Sequence, residues 1–351
     1  MSQKPGLPGK DLPMLKPETR KPAKDGVSPV ERLHTLVAPD MAATDKLIHA
    51  RMGSAVNLIP DLARHLIDSG GKRLRPMLTL AAARMGGYTG DKHINLAAAV
   101  EFIHTATLLH DDVVDASTLR RGKVAANLVW GNKATVLVGD FLFSRAFQLM
   151  VETGSLRVLD ILAGASAIIA EGEVMQLKSE SNLATTEEHY LKVVGAKTAA
   201  LFAAAAEAGA TLCNRDAAFI AALRGYGDNL GIAFQLVDDA LDYSGRQAMM
   251  GKAVGDDFRE AKVTLPVILA FARADAQSVV FWKRVIEGGP QSESDLERAI
   301  SCVEKTGAIQ ETMTRARHYA DKAVAALQPL PHSDTRAALA DIADFCVERA
   351  Y

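Results

Sequence analysis

The chain has 351 residues, of which 23% are charged, and a formal net charge of −2 at pH 7. Because positive and negative charges nearly balance, the composition gives no general reason to expect a nucleic-acid partner. The three cysteines, Cys213, Cys302 and Cys346, are far apart and lack metal or redox spacing. This pattern favours inert thiols in a reducing, cytoplasmic compartment.

Residues 1–29 hold many prolines, lysines and glycines and few large apolar side chains. Such a segment buries too little apolar surface to fold alone, so we predict a disordered N-terminal tail. It lacks the apolar stretch of a signal peptide, and no uninterrupted apolar run approaches the ~18 residues that span a bilayer. The basic residues of the tail allow at most peripheral contact with an anionic membrane.

From residue 30 to residue 351, apolar residues recur at helical spacing, and the alternation typical of strands is scarce. No stretch stands apart as a second domain, and no repeat of the kind found in solenoid proteins is visible. The sequence therefore predicts a single all-α domain over residues 30–351.

The first candidate site along the chain is the segment GGKRLRP, residues 70–76. Pro76 suits the first position of a helix, which would place Lys72 and Arg75 near a helix N-terminus. Unpaired backbone N–H groups and the helix dipole favour anions there. The segment thus predicts an anion-binding site.

Two copies of one acidic signature, DDVVD at 111–115 and DDALD at 238–242, lie in otherwise apolar helical segments. Residues four apart share a helix face, so the first and last aspartates of each motif project together. Burying such carboxylates is unfavourable unless cations neutralise them, and Mg²⁺ prefers oxygen ligands of this kind. We predict two facing clusters that hold several Mg²⁺ ions with a polyphosphate between them. The candidate ligands are Asp111, Asp112, Asp115, Asp238, Asp239 and Asp242.

Cationic and polar side chains flank both motifs: His104, Arg120, Arg121, Lys197, Thr198, Gln235 and Lys262. His104 lies two helical turns before Asp111 and shares its face. Arginine makes forked contacts with phosphate oxygens. The pattern fits two diphosphates, one bridged by metal ions and the other held directly by cations.

The segments GGKRLRP, FIHTATLLHDDVVDASTLRRGK, GAKTA, AFQLVDDALDYSG and GKAVGDDFREAKVTLP follow one another in the order of trans-isoprenyl diphosphate synthases. The chain resembles this family over roughly residues 45–351, and most of all its long-chain polyprenyl members, which make quinone side chains. The resemblance implies an isoprenoid-synthase-type helical bundle around a central cavity. It also implies Mg²⁺ dependence, a homodimer, and isopentenyl diphosphate and an allylic diphosphate such as farnesyl diphosphate as substrates.

The resemblance further implies a role for each candidate residue. The primary metal ligands would be Asp111, Asp115 and Asp238, with Asp112, Asp239 and Asp242 as ligands or water-mediated partners. The allylic diphosphate would be held by Arg120, Lys197 and Lys262. The metal-free isopentenyl diphosphate site would comprise Lys72, Arg75, His104 and Arg121. Thr198 and Gln235 would steady the carbocation, and the leaving diphosphate would accept the proton.

Product length depends on the space just before the first motif, where Ala106 and Thr107 are the fifth and fourth residues before Asp111. Short-chain members of the family carry bulky aromatic residues there. Ala106 leaves the space open, so a tunnel can run past Ile103, Phe102 and Ala99. Its floor would lie among Phe141, Phe143 and Phe147. We therefore expect an octaprenyl to decaprenyl product.

Three alternative functions remain open at this stage. A terpene cyclase also ionises diphosphates, but it usually lacks the second acidic motif and needs no isopentenyl diphosphate site. A non-catalytic regulatory subunit of a heteromeric synthase would have lost acidic motifs, whereas this chain retains both. A synthase of farnesyl or geranylgeranyl diphosphate is opposed only by Ala106 and by the overall resemblance.

Overall fold

The structure, a computed structural model, describes residues 26–244 and 255–348. Helices of the first part are α1 (Pro29–Arg51), α2 (Leu58–Ile67), α3 (Leu74–Met85), α4 (Lys92–Val114), α5 (Ala126–Trp130), α6 (Asn132–Glu152), α7 (Leu156–Ser179) and α8 (Glu187–Val194). A π-helical turn, Gly195–Ala199, connects α8 to α9 (Ala200–Thr211), and α10 (Ala217–Asp242) follows. The second part holds α11 (Asp256–Arg259), α12 (Leu265–Ala272), α13 (Ala276–Ile286), α14 (Glu293–Lys305), α15 (Ala308–Ala326) and α16 (Asp334–Glu348).

Strand structure among the described residues is limited to a hairpin of β1 (Leu119–Arg120) and β2 (Lys123–Val124). The prediction of an all-α fold is therefore confirmed. One local prediction is wrong, because the helix after the GGKR segment begins at Leu74 and Pro76 is its third residue. Proline is tolerated at that position because the N–H groups of the first helical turn have no partner within the helix.

The first described helix starts where the composition of the sequence changes. Ser28 and Glu31 form a capping box, in which the Glu31 N–H donates to Ser28 Oγ at 3.2 Å and the Ser28 N–H donates to Glu31 Oε2 at 2.9 Å. Pro29 takes the first helical position. The predicted tail, residues 1–29, lies almost entirely outside the described residues, so its disorder stays a prediction.

The interior is centred on the alanine-rich helix α9, whose residues 201–210 are all buried. Because most of these side chains are small, α3, α7 and α10 pack closely around it. Helix α4 packs against α3 and α6. This arrangement brings the C-terminal end of α4 and that of α10, the two ends with acidic motifs, toward one region.

Two helical stretches within the described residues are long and apolar enough to cross a membrane, as judged by length and composition alone. Glu187–Thr211 is 83% buried within the protein, which is the behaviour of a core helix. Asn132–Glu152 is 39% buried and exposes apolar side chains. A buried core helix passes the same test, so these stretches are weak indicators of a membrane span.

Candidate active site

The first acidic motif occupies the C-terminal end of α4. Asp111 lies in the last turn and Asp115 caps the helix, with the Asp115 N–H donating to the Asp111 carbonyl at 2.8 Å. Both side chains lie at the edge of the interior, on the shared face that the helical spacing predicts. Burial raises the pKa of the Asp111 carboxyl to about 7, and Lys197 offsets only part of this effect.

The middle aspartate of the first motif points elsewhere. Asp112 is fully buried, and its Oδ1 accepts from Nε and Nη2 of Arg120 at 2.8 and 2.7 Å. Asn127 Nδ2 donates to the Asp112 carbonyl at 2.9 Å. Asp112 therefore anchors the hairpin arginine, and this arrangement favours an indirect role for it at a metal site.

Lys197 lies on the π-helical turn, where Nζ donates to Glu173 Oε2 of α7 at 2.8 Å. Such turns often occur at functional sites because they displace one side chain from the regular helical path. Burial is the main cause of the raised pKa of Asp111, and Glu173 raises it further, whereas Lys197 lowers it. Asp111, Glu173 and Lys197 therefore form one charged group.

The second motif is embedded in a chain of hydrogen bonds. Thr198 Oγ1 donates to Gln235 Oε1 at 2.9 Å, and Gln235 Nε2 donates to Asp239 Oδ1 at 2.7 Å. The Tyr190 hydroxyl donates to Asp239 Oδ2 at 2.5 Å. Burial nevertheless raises the pKa of Asp239 to about 7. Asp238, beside it on α10, is half-buried.

Asp242 holds the start of α11 rather than standing free at the end of α10. Its carboxylate accepts from the backbone N–H groups of Gly255, Asp256 and Asp257 at 3.1–3.3 Å. Burial raises the pKa of Asp242 to about 6, although these N–H groups oppose the change. Asp242 thus acts in the structure as a cap for the returning chain.

Lys262 links the first motif to the segment that follows the second. Its Nζ lies 3.0 Å from Asp115 Oδ2 and 2.5 Å from Glu260 Oε2. Although burial lowers the pKa of Lys262, the two carboxylates raise it above its usual value. Lys262 therefore remains charged between them.

Three of the four predicted isopentenyl diphosphate residues, Arg75, His104 and Arg121, lie near one another. Arg75 Nη1 lies 3.4 Å from His104 Nε2, and the Arg75 guanidinium carbon lies 4.2 Å from the centroid of the Phe202 ring. Burial, followed by Arg75 and Arg121, lowers the pKa of His104 well below its usual value. His104 is thus a neutral hydrogen-bonding group beside cations.

Arg121 contacts the loop before α3, whereas Lys72 of that loop lies against the last helix. Arg121 Nη1 donates to the carbonyl of Gly70, and a side chain on Gly71 would meet the Arg121 guanidinium carbon at 3.0 Å. Lys72 is exposed, with Nζ 5.8 Å from the centroid of the Phe345 ring of α16. The hairpin arginine and the loop before α3, far apart in sequence, therefore form one surface.

A cavity of about 130 Å³ lies between α7, α8, α10 and the segment before α12. Its lining includes Lys197, Thr198, Gln235, Asp239 and Lys262. These are candidate residues of both the allylic diphosphate and the carbocation sites. The cavity thus brings together side chains predicted to hold a diphosphate and side chains predicted to steady the carbocation.

The proposed chain-length region is packed. Ala106 is fully buried among the side chains of α4, α6, α7 and α9, and Thr107 Oγ1 donates to the His104 carbonyl at 2.8 Å. Phe141 and Phe143 pack partly against the same core, whereas 41% of Phe147 is exposed. Phe147 therefore lies on the surface of the single chain, away from the position expected of an enclosed floor.

Several residues near the site were not predicted from the sequence. Glu173 pairs with Lys197, Tyr190 donates to Asp239, and Glu101 forms an ion pair with Arg73. Helical spacing offered a signal for Tyr190, which lies two turns before Lys197. The two glutamates gave none, since an acidic residue on a helix is usually a solvated one.

Known proteins resemble this chain over most of its length. Residues 56–303 match the family described as polyprenyl synthetase. The octaprenyl diphosphate synthase of Escherichia coli (strain K12) is 45% identical over 320 residues, which make up 91% of this chain and 99% of that protein.

Two solved structures are similar over nearly the whole chain. A polyprenyl synthase from Caulobacter crescentus CB15, complexed with calcium and isoprenyl diphosphate, is 56% identical with a TM-score of 0.89, covering 94% of this chain and 100% of that one. A decaprenyl diphosphate synthase from Rhodobacter capsulatus is 56% identical with a TM-score of 0.88, covering 92% and 99%. These matches confirm the predicted resemblance and the prenyltransferase class, and the chain belongs to the polyprenyl synthetase family.

Proposed function

We propose that this protein is a catalytic, long-chain, all-trans polyprenyl diphosphate synthase, which adds isopentenyl diphosphate units to an allylic diphosphate. The observation that carries the proposal is that α4 presents side chains to two chemically different groups of residues. His104 faces the cationic group that includes Arg75, and Asp111, two turns later, faces carboxylates and Lys197. One helix therefore serves a metal-free anion site and a metal-dependent one.

The carboxylates fit Mg²⁺ as a cofactor. Burial raises the pKa values of Asp111 and Asp239 to about 7, because nearby cations or hydrogen-bond donors offset only part of the desolvation of the ionised form. A divalent cation beside these carboxylates would favour their ionised form. Among the described residues, no three His, Cys, Asp or Glu side chains converge into a ready-made metal site. Mg²⁺ commonly binds through one or two carboxylates plus substrate phosphates, which suits this arrangement. Asp111, Asp115 and Asp238 would hold it.

When bound, Mg²⁺ would neutralise charge that develops on the departing diphosphate. Lys197 and Lys262 supply fixed positive charge beside the first motif, and Arg120 retains exposed guanidinium surface after it pairs with Asp112. These three side chains are suited to hold the allylic diphosphate while the carbon–oxygen bond breaks. Their carboxylate partners hold all three side chains at the site.

The carbocation forms next to the cavity lined by Thr198 and Gln235. Both side chains line this partly buried cavity, where electrostatic interactions are stronger than in water. The double bond of isopentenyl diphosphate attacks the cation, and the released diphosphate takes the proton lost from the adduct. The protein therefore positions the two substrates and stabilises the charges that develop, and the reaction needs no side chain as a general base.

The small side chain of Ala106 is consistent with a long product, because no bulky side chain at this position of α4 would block a growing hydrocarbon. Ala106 belongs to the core shared by α4, α6, α7 and α9, and we infer that the growing hydrocarbon enters between these helices. The octaprenyl and decaprenyl synthases among the similar proteins support a product in this range. A farnesyl or geranylgeranyl product is the second candidate, and Ala106 and these similarities oppose it.

Two other candidates are less well supported. A terpene cyclase would not need Arg75, His104 and Arg121 gathered at a second diphosphate site. A regulatory subunit would not need two acidic motifs in helical register with Lys197 and Lys262 beside them. This chain has both the second group of diphosphate-binding candidates and the two acidic motifs.

A homodimer is the assembly we propose. Adjacent helices α6 and α7 expose large apolar side chains: Val136, Leu137, Phe147, Val151, Leu156, Ile168, Val174 and Leu177. Exposed apolar patches of this kind mark protein–protein interfaces on soluble proteins. A dimer interface on α6 also accounts for the limited burial of Asn132–Glu152 within one chain.

We propose a cytoplasmic enzyme that contacts a membrane only peripherally, to release its product.

Product analysis tests the proposed function. The purified protein is incubated with Mg²⁺, farnesyl diphosphate and labelled isopentenyl diphosphate, and the dephosphorylated products are sized by chromatography. A single long end product that EDTA abolishes is the expected result. Products that end at farnesyl or geranylgeranyl length would overturn the long-chain assignment, and no incorporation would favour the regulatory-subunit reading.

A further inference from the structure

Glu101 is a buried carboxylate that has no part in the mechanism above. It lies on α4, three residues before His104, with only 3% of its side chain exposed, and it forms an ion pair with Arg73 Nη1. A buried charge is strongly unfavourable unless a partner neutralises it. The Glu101–Arg73 pair is therefore tightly constrained in the fold.

Arg73 has an unusual backbone conformation. Its φ of 48° lies in the left-handed region, where an L-residue with a long side chain is seldom found. It immediately precedes α3 and separates Lys72 from the first helical residues. Its Nη2 also donates to the Ile67 carbonyl at 3.1 Å. The side chain of Arg73 thus ties this left-handed turn to both α2 and α4.

Glu101 also acts on the other cations of this region. Its carboxylate opposes the effect of burial on the pKa values of Arg75 and Arg121. Three guanidinium groups so close together would repel one another without a negative charge among them. Glu101 supplies one negative charge against three positive charges, so the group keeps a net positive charge that favours an anion.

We propose that Glu101 is a positioning residue for the metal-free diphosphate site. By holding Arg73 in its left-handed conformation, it fixes the turn from which Lys72 and Arg75 reach the diphosphate of isopentenyl diphosphate. Glu101 does not contact that substrate itself, because a carboxylate would repel it. The inference rests on the proposed function and adds to it a residue that sets the affinity of one substrate site.

The test compares Glu101→Gln with Glu207→Gln. Glu207 is a matched control, because it is another buried glutamate, with arginine nitrogens of Arg157 and Arg224 at 3.2 and 3.5 Å, on α9. In steady-state assays we expect Glu101→Gln to raise KM for isopentenyl diphosphate by about tenfold, with kcat and KM for farnesyl diphosphate within about twofold. Glu207→Gln should leave both KM values unchanged.

A binding measurement separates this role from turnover. Titration calorimetry with isopentenyl diphosphate in EDTA should show a weaker Kd for Glu101→Gln, by about tenfold, than for the wild type. Arg73→Lys keeps the charge but loses the forked contacts, so it should weaken binding in the same direction, and it replaces Glu101→Gln if that variant does not fold. Glu101→Asp should recover part of the affinity.

Two outcomes would overturn the inference. One is an isopentenyl diphosphate affinity in Glu101→Gln and Arg73→Lys equal to that of the wild type. The other is an equal rise in both KM values, which would indicate a general structural role. Failure of the proposed function is distinguishable, because the wild type would then show no chain elongation in the same assay.

Discussion

Lys262 Nζ lies 3.0 Å from Asp115 Oδ2, although 147 residues separate them in the sequence. The contact joins the end of α4 to the segment between α11 and α12, and so ties the first acidic motif to the region that follows the second. Glu260 holds the same ammonium group from the other side, at 2.5 Å. The two halves of the site are therefore joined through one cation.

Replacement of this cation should impair catalysis more than folding. Lys262→Met removes the positive charge beside Asp115 while keeping a side chain of similar length, and we expect kcat to fall by about 10- to 100-fold. Lys262→Arg should retain part of the activity. The control is Lys283→Met, at an exposed lysine on α13, which should be indistinguishable from the wild type. Wild-type turnover in Lys262→Met would contradict the assigned role.

The first and second motifs should be equally indispensable. Asp111→Asn and Asp238→Asn keep the side-chain shape but remove a metal-binding charge, so turnover should fall by about 10²-fold or more. The melting temperature of Asp111→Asn should not fall, because burial already raises the pKa of this carboxyl to about 7. Asp160→Asn, at a side chain that is 72% exposed, serves as control. Near-normal turnover in either motif variant would refute the metal-site proposal.

Helical periodicity explains why the core of the site was predictable from the sequence. The i, i+4 relation places Asp111 and Asp115 on one face, and the two-turn interval from His104 to Asp111 directs both toward the same side. These are local relationships, which depend on the helix alone. In the structure Asp111 lies in the last turn of α4, Asp115 caps that helix, and His104 contacts Arg75.

The remaining features depend on chain segments that meet only in the folded state. Asp242 caps α11 because its carboxylate accepts a hydrogen bond from the Gly255 N–H. Asp112 forms an ion pair with Arg120 of the hairpin that follows α4. In each case the partner of the motif aspartate lies on another chain segment, so helical spacing could not predict the contact. Buried Glu101 and half-buried Glu173 were missed for the same reason.

Gly172 should be required by the π-helical turn that presents Lys197. A Cβ at this position would meet the Lys197 backbone nitrogen at 2.8 Å and the Ala196 Cβ at 2.9 Å. Gly172→Ala should therefore destabilise the protein by about 1–3 kcal/mol and reduce kcat, because α7 can no longer approach the turn. Thermal unfolding and steady-state assays measure both effects.

Gly164 of the same helix provides the control, because a Cβ there has no neighbour within 4 Å. Gly164→Ala should stabilise α7 by about 0.5–1 kcal/mol and leave kcat unchanged. Equal effects of the two substitutions would show that contact with the turn is not what restricts position 172.

The exposed apolar face of α6 and α7 should form the dimer interface. Leu137 is 67% exposed in the single chain, and Leu137→Glu would place a charge in an apolar contact, at a cost that dissociates the subunits. Light scattering coupled to gel filtration should then give half the mass of the wild type. Val280→Glu, on α13 and 69% exposed, should leave the mass unchanged. A dimeric Leu137→Glu protein would place the interface elsewhere.

The substitution Ala106→Phe should shorten the product, because the ring would occupy the core between α4 and its neighbours into which we expect the hydrocarbon to grow. Ala106 is fully buried, so the larger side chain will also destabilise the fold, by about 1–3 kcal/mol. Ala106→Leu is the milder companion, and it should shorten the product less. Thr314→Phe, on an exposed position of α15, controls for the added ring. If folded Ala106 variants make the wild-type product, the hydrocarbon does not pass this position, and product length must be set on another helix.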